Sequence, residues 1–401
     1  MMASSIRRVA AHQQTRKSVT VIAITGGPCG GKTSALVELA ASLPALGGAE
    51  VMTTPEFSTL FFAGGCPYPA GGSREQQVAW DLNKLKAQMA FEDAFRAVAE
   101  SKRASDCTDS GTPIVLLMDR GVMDTKAFVS EEAWEEMLDV HGWDEEQFLR
   151  RYDSVIHLVS TAIGAEDHYS GENNEARRET IEEARRQDLA VRDAWLGHAN
   201  FRIISNRCDG FEAKLRKVKE SVCEVAGLPM PVAGGTKKRW LVRNNGIADA
   251  DGVENLVVHH VETDFIAASG SADEDICVRR RRRLNCSTDE SRSGNWLYSI
   301  HERLEDGSTR SRPLARRDYE AWRSRREEEN PMLSMTRTSF IFEENFWKLD
   351  EFHGRDTSRL TLEAGSFVAE PLPPLPPFFS FLDRVGNLSL REMRDTVLKL
   401  P

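Results

Sequence analysis

With 401 residues the chain is long for one ordinary domain and fits two, each with a sizeable core. It is 40% hydrophobic and 28% charged, and its formal net charge of −10 argues against a general nucleic-acid binder, whose surface must neutralise phosphates. The seven cysteines (Cys29, Cys66, Cys107, Cys208, Cys223, Cys277 and Cys286) show no C-x-x-C pair and no zinc-site spacing, so reduced thiols in a cytoplasmic setting are expected.

Residues 1–18 carry Arg7, Arg8, Arg16 and Lys17 among serines with no acid, and read as a flexible basic tail, with a mitochondrial transit peptide as the alternative. No apolar run reaches the ~20 residues needed to span a bilayer.

"VTVIAITGGPCGGKTSALVELA", from residue 19, runs from an apolar strand through glycines into a helix. Gly26, Gly31, Lys32 and Thr33 meet the pattern G-x-x-x-x-G-K-[ST] in its proper strand-loop-helix context. Such a loop turns successive backbone N–H groups inward at a helix N-terminus, a concavity suited to a polyphosphate. The nucleotide-binding stretch is therefore Gly26, Gly27, Pro28, Cys29, Gly30, Gly31, Lys32, Thr33 and Ser34. Lys32 is expected to reach the terminal phosphates and Thr33 to ligate Mg2+; the Cys29 side chain is assigned no role of its own.

A short strand over 50–53 leads to Glu56, placed where ligands gather at the carboxyl ends of parallel strands. There a carboxylate can take the proton of a hydroxyl being phosphorylated, or it simply caps the next helix. A helix over 74–101 follows, with Val78, Leu82, Leu85, Met89, Ala90 and Phe95 as its core stripe. "GTPIVLLMDRGVMD" is an apolar strand ending at Asp119, where a Walker B acid meets magnesium or its water shell, followed by Arg120 and Asp124.

"YDSVIHLVS" reads as another buried strand, before a charged helix whose arginines form either a solvated face or a lid over the transferring phosphoryl group. The lid candidates are Arg177, Arg178 and Arg185. In "IISNRCDGF", Asn206, Arg207 and Asp209 give N-R-x-D, one conservative change from the N-K-x-D loop that reads guanine. An Asp can accept from two guanine donors and an Asn can bond N7, although so short a pattern also arises by chance. Alternation of strands and helices over 19–227 predicts a doubly wound parallel α/β fold.

Residues 228–235 form a Pro/Gly linker, and 236–401 change texture to strands with one helix around 318–329, predicting a mostly antiparallel β-barrel. The run Arg279 to Arg283 is either a solvated basic peptide or a strand. As a strand it puts Arg279, Arg281 and Arg283 on one face, with Ile276 joining them before a slip. With His301, Arg303, Arg337 and Lys348 these arginines are expected to line an anion-binding lumen. "EPLPPLPPFF" reads as a rigid packing segment or an SH3-type ligand.

"TGGPCGGKT", Pro55-Glu56, "MDRGVMD" and "NNEARRETIEEARRQD" resemble the P-loop domain shared by the nicotinamide-riboside kinase NadR and the TRPL translocation defect proteins. "RWLV", "FWKLDEF" and "LTLEAG" resemble strands of a CYTH, or triphosphate tunnel, domain, and the order of the two resembles the TRPL translocation defect family over residues 19–400. The resemblance implies guanine-nucleotide binding, phosphoinositide binding and a role in membrane-protein trafficking, with peripheral membrane association. Catalytic tunnel enzymes open with E-x-E-x-K. Here the matching residues are Gly235, Thr236, Lys237, Lys238 and Arg239, so Asp350 and Glu363 are left without the paired glutamates of a two-metal site.

Three functions follow as expectations. The first is a GTP- or ATP-binding regulator whose tunnel domain holds phosphoinositide headgroups or inorganic polyphosphate. The second is a small-molecule, nucleoside-type kinase with Glu56 as base, Asp119 on magnesium and Arg120 beside them. A triphosphatase, disfavoured by the absent glutamates, is the third.

Overall fold

The computed structural model describes residues 19–105, 112–169, 180–229, 239–247, 250–253, 255–266, 276–284, 295–303, 309–327, 332–353, 360–364 and 374–385. They divide into two compact units. The first holds 19–143 and 151–229; the second holds 144–150 and the residues from 239 to 385. The sequence pattern places 144–150 inside the first domain, whereas they group with the second unit.

In the first unit, β1 (Val19–Thr25) passes through the glycine loop into α1 (Lys32–Gly47), and β2 (Glu50–Thr54) leads to α2 (Phe57–Ala63) and α3 (Arg74–Ser105). After β3 (Ile114–Asp119) come a 3₁₀ turn over Val122–Phe128 and α4 (Glu131–His141), whose N-cap Ser130 accepts from the N–H of Ala133. The short α5 (Glu145–Leu149) belongs to the second unit. β4 (Ser154–Leu158), α6 (Ile181–Ala194), β5 (Phe201–Ile204) and α7 (Gly210–Ala226) complete the first, α6 opening with a capping box between Thr180 and Glu183.

All five strands are parallel, in the order β2-β3-β1-β4-β5, as the alternating pattern predicts. Ile22 and Ile24 of β1, Val115 and Leu117 of β3, and Ile156 and Leu158 of β4 point to one face. There they pack on Leu36, Leu39 and Leu43 of α1 and Val218 and Val222 of α7. α3 lies against β1, β2 and β3, but its buried line is not the predicted apolar stripe. Of that stripe only Leu85 is buried; the helix instead buries Asp81, Lys84, Gln88 and Glu92.

The second unit is one antiparallel sheet in the order β10-β9-β8-β7-β11-β12-β13-β6-β14. Its strands are β6 (Arg239–Asn244), β7 (Leu256–Phe265), β8 (Ile276–Leu284), β9 (Leu297–Arg303), β10 (Thr309–Leu314), β11 (Leu333–Phe342), β12 (Asn345–Phe352), β13 (Leu360–Ala364) and β14 (Phe379–Val385), with α8 (Arg316–Arg323) after β10. Among the described residues β10 and β14 do not pair, so the expected barrel is an open sheet. One face carries Trp240, Val242, Phe340, Trp347 and Leu362, joined by Leu375, Phe378 and Phe379 from the described end of the proline segment. Farther along, Val278 and Ile300 pack on Tyr319 of α8.

Register places a row of charges, from Arg283 across to Arg239, on the opposite face. Arg283 pairs with His259, His259 with Arg337, and Arg337 with Asp350, while Lys348 pairs with Glu363 and Glu363 with Arg239. Directly paired residues share a face. β8 runs against β7 without a register shift, so Arg279, Arg281 and Arg283 share their face with Cys277, and Ile276 falls on the other side with Arg280 and Arg282. The predicted slip is absent.

Candidate functional site

The glycine loop is shaped by the strand beside it. Gly26 has φ +140°, and a Cβ there would lie 2.1 Å from the carbonyl oxygen of Leu158; at Gly30 it would lie 2.5 Å from the same atom. Only a loop without side chains at these points can lie this close to β4. Cys29 is left-handed at φ 54°, and Gly31 caps α1 without any side-chain hydrogen bond, leaving Thr33 and Ser34 exposed.

Asp188 of α6 pins the loop from beneath. Its Oδ1 accepts from the N–H of Gly27 at 2.8 Å and of Ser160 at 2.9 Å, and its Oδ2 faces Nε2 of His157 at 3.2 Å. The Ser160 hydroxyl donates to the carbonyl of Pro28. Asp188 is buried, and although burial pushes its pKa up, His157 and the two N–H donors hold the carboxyl below its ordinary value.

Lys32 Nζ donates to the carbonyl oxygens of Gly26 and Gly27 at 2.9 and 2.8 Å. Burial, with Arg120 close by, lowers its pKa to about 7. Arg120, left-handed at φ 67°, donates from Nε to Glu56 and from a terminal nitrogen to the Gly26 carbonyl at 3.3 Å. Burial pushes Glu56 up, but Arg120 and Lys32 outweigh it and hold the carboxyl at about 2. Asp124 orients this arginine at 3.3 Å while accepting from Thr25 Oγ1 at 2.7 Å and Trp195 Nε1 at 2.6 Å. The ends of β1, β2 and β3 thus bring Lys32, Glu56, Asp119 and Arg120 together.

Among the described residues the Asp119 carboxylate accepts no hydrogen bond, and burial together with Glu56 raises its pKa to about 6. A carboxylate that accepts no hydrogen bond among the described residues would suit a magnesium ion or its water shell, and the exposed Thr33 hydroxyl would be the second ligand. No group of three or more His, Cys, Asp or Glu among the described residues forms a cation cage, so phosphates and water would complete the shell.

The remaining predicted residues are placed differently. Arg177 and Arg178 lie outside the described residues. Arg185 donates to the carbonyl of Ala162 at 2.6 Å and to Glu166 at 2.8 Å, so it is held on the loop after β4. Asn206 donates its amide hydrogens to the carbonyls of Ser160 and Ile163 at 2.8 and 2.7 Å and accepts from Lys214 Nζ at 2.7 Å. That amide is committed to the loop after β4, so it does not present itself to a purine N7, whereas Asp209 is exposed just before α7. Asp188 was missed; a lone acid in a helix rich in Arg and Glu carries no distinguishing pattern.

In the second unit the predicted cations are largely paired within the protein. Arg281 donates to Glu146 at 3.2 Å, Arg283 to Glu145, and Arg337 to both Asp350 oxygens at 2.6 and 2.7 Å. Glu363 lies between Arg239 and Lys348, the latter at 3.8 Å. Arg279 donates to Thr263 Oγ1 at 3.2 Å and has no carboxylate partner among the described residues; burial, with Arg337 nearby, lowers its pKa to about 10. His301 stands 3.0 Å from the Ser299 hydroxyl; the side chain of Arg303 and residues 235–238 lie outside the described part.

A family model described as an AAA domain matches residues 21–213, the part of the chain that carries the glycine loop. This match suggests nucleotide binding. No curated protein matches the sequence. Among solved structures, an inorganic triphosphatase, NE1496, is 15% identical with a TM-score of 0.27, covering 42% of this chain and 98% of its own. The PH1819 protein of Pyrococcus horikoshii OT3 is 13% identical with a TM-score of 0.25, covering 33% and 79%. A chain of the Schizosaccharomyces pombe Mediator head module is 12% identical with a TM-score of 0.23, covering 35% and 86%. Among the described residues no helix is long and apolar enough to cross a membrane.

Proposed function

We propose that the first unit binds the magnesium complex of a purine nucleoside triphosphate, GTP or ATP, and transfers its terminal phosphoryl group to a hydroxyl of a small molecule. The observation that carries this reading is the convergence of Lys32, Glu56, Asp119 and Arg120 at the ends of three adjacent strands. Backbone N–H groups of the loop cradle the phosphates, Lys32 leaves the carbonyls of Gly26 and Gly27 to meet them, and Thr33 and Asp119 hold the ion. A magnesium ion held there would neutralise charge on the transferring group.

The acceptor oxygen bonds to the terminal phosphorus as the bond from that phosphorus to the bridging oxygen breaks. The nucleoside diphosphate leaves with that electron pair, and the hydroxyl proton passes to Glu56. A carboxylate at about 2 is a weak base, which suffices where the transition state is loose and the proton departs late. Arg120 stabilises the charge on the transferred group. The test is nucleotide turnover with and without a panel of hydroxyl compounds: acceptor-stimulated transfer supports the reading, and turnover indifferent to every compound rejects it.

A second reading has its own observation. Arg279, without a carboxylate partner among the described residues and beside Arg337, supports an anion site for a phosphoinositide headgroup or inorganic polyphosphate in a nucleotide-dependent regulator. Its trafficking role rests on the family resemblance alone. Hydrolysis of triphosphate there is disfavoured, because Asp350 and Glu363 are each committed to basic partners.

A further inference from the structure

Three phenylalanines of the first unit are exposed among the described residues, and two of them have partners. Phe62 stacks on Trp80 at 6.1 Å, and Lys84 Nζ lies 5.9 Å from the centroid of Phe128. Phe211, in the first turn of α7 and 45% exposed, meets neither a ring nor a cation among the described residues. It meets the phosphate loop instead. A Cβ on Gly31 would lie 2.6 Å from Cε2 of this ring and 3.0 Å from its Cζ, so the far edge of the ring rests where Gly31 has no side chain. Single apolar side chains on a surface are ordinary. One laid on the rim of a phosphate loop borders the path of whatever the phosphates carry.

The ring is held in that place by buried contacts. Lys214, one turn further along α7, is buried and donates to the carbonyl of Val159 at 2.6 Å and to Asn206 Oδ1 at 2.7 Å. Asn206 donates in turn to the carbonyls of Ser160 and Ile163, and the Ser160 hydroxyl donates to the carbonyl of Pro28 in the glycine loop. The start of α7 and the glycine loop are thus fixed to the same segment after β4. Gly210, left-handed at φ +82°, turns the chain between Asp209 and Phe211, so an exposed carboxylate and an exposed ring stand two residues apart in the connection after β5.

A nucleotide whose phosphates lie on the backbone N–H groups of the loop must send its base outwards past this rim. A free aromatic face there accepts any base by stacking, and a purine, with two fused rings, covers more of it than a pyrimidine. We propose that Phe211 is the platform on which the nucleotide base stacks, and that it selects purine over pyrimidine nucleotides while leaving the choice between guanine and adenine to Asp209. This rests on the proposed nucleotide binding.

Affinities of the full chain for the magnesium complexes of ATP, GTP, CTP and UTP test it, measured by competition against labelled ATP so that only the nucleotide site is read. Inorganic tripolyphosphate, which has no base, is measured in the same way. The parent should bind the two purine nucleotides more tightly than the two pyrimidine ones. Phe211→Leu keeps an apolar contact with Gly31 but removes the aromatic face, and should weaken ATP and GTP about five- to a hundredfold while tripolyphosphate competes as before. Phe211→Trp should retain the purine affinities. Unchanged ATP and GTP affinity in Phe211→Leu overturns the platform, as does a parent that binds all four nucleotides equally. An equal loss for tripolyphosphate overturns it too, because the ring would then only prop the loop. A parent that binds no nucleotide rejects the nucleotide site itself, and the platform with it.

Discussion

Glu146 and His259, 113 positions apart in the chain, share a hydrogen bond of 2.8 Å that neither solvent nor a third side chain interrupts, both being 1% exposed. Burial pushes the Glu146 carboxyl up, yet Arg281 and His259 outweigh it and hold the pKa at about 2, while burial keeps His259 below its ordinary value. A depressed acid stabilises the fold above its ordinary value of 4.5, and this contribution is lost as pH falls towards 2. Glu146→Gln should therefore cost about 3 kcal/mol in urea unfolding at neutral pH. The difference from the parent should shrink near pH 3, and equal losses at both pH values would refute the assignment.

Removing both acids from α5 tests what they neutralise. Glu145→Gln with Glu146→Gln leaves Arg281 and Arg283 without those carboxylates, beside Arg279. Affinity for inorganic tripolyphosphate should rise several-fold over the parent and fall with added salt, since exposed charges are screened beyond about 8 Å at physiological ionic strength. Unchanged binding by calorimetry would remove the anion site.

In the nucleotide loop, Lys32→Ala removes a charge-assisted contact worth about 1.5–3 kcal/mol, so nucleotide affinity should drop at least tenfold without unfolding the chain. Asp119→Asn should weaken the magnesium dependence of binding. Calorimetry with and without magnesium reads both, and parent affinity indifferent to the ion would contradict the metal role.

Asp188 touches no assigned ligand but fixes Gly27 and Ser160. Asp188→Ala orphans two buried N–H groups, which should cost about 2–4 kcal/mol in stability and reduce nucleotide affinity as well. Intact affinity in a folded variant would show that the loop holds its shape alone.

Base preference separates two neighbouring residues. Asp209→Ala should erase a modest preference for GTP over ATP in competition, because guanine loses its paired acceptor. Asn206→Ala should lower the melting temperature and leave the preference intact, since its amide serves Ser160, Ile163 and Lys214. A preference indifferent to Asp209 would return that loop to an ordinary turn.

What sequence revealed, and what it hid, follows from chemistry. The convergence of the glycine loop, Glu56 and Asp119 was legible because apolar strands end abruptly at a glycine run or an acid. The buried row of α3 was not, because Asp81, Lys84, Gln88 and Glu92 hold buried positions where periodicity expects Leu and Val. The hairpin between β11 and β12 turns on Glu343 and Glu344, both left-handed at φ 48° and 63°, without the Asn or Gly that announces such a turn. Barrel closure was inferred from strand count and alternation, which specify local pairing but not whether edge strands meet.

The grouping of residues 144–150 with the second sheet also orders events in time. A ribosome makes Glu145 and Glu146 more than a hundred residues before Arg281 and Arg283, so the acids wait, solvated, for strands still to be synthesised. Release of a chain truncated before β8 would leave them without Arg281 and Arg283. Conversely, a fragment begun after residue 150 would expose its arginines to the polyanions of the cell, above all to the RNA of the ribosome that made it.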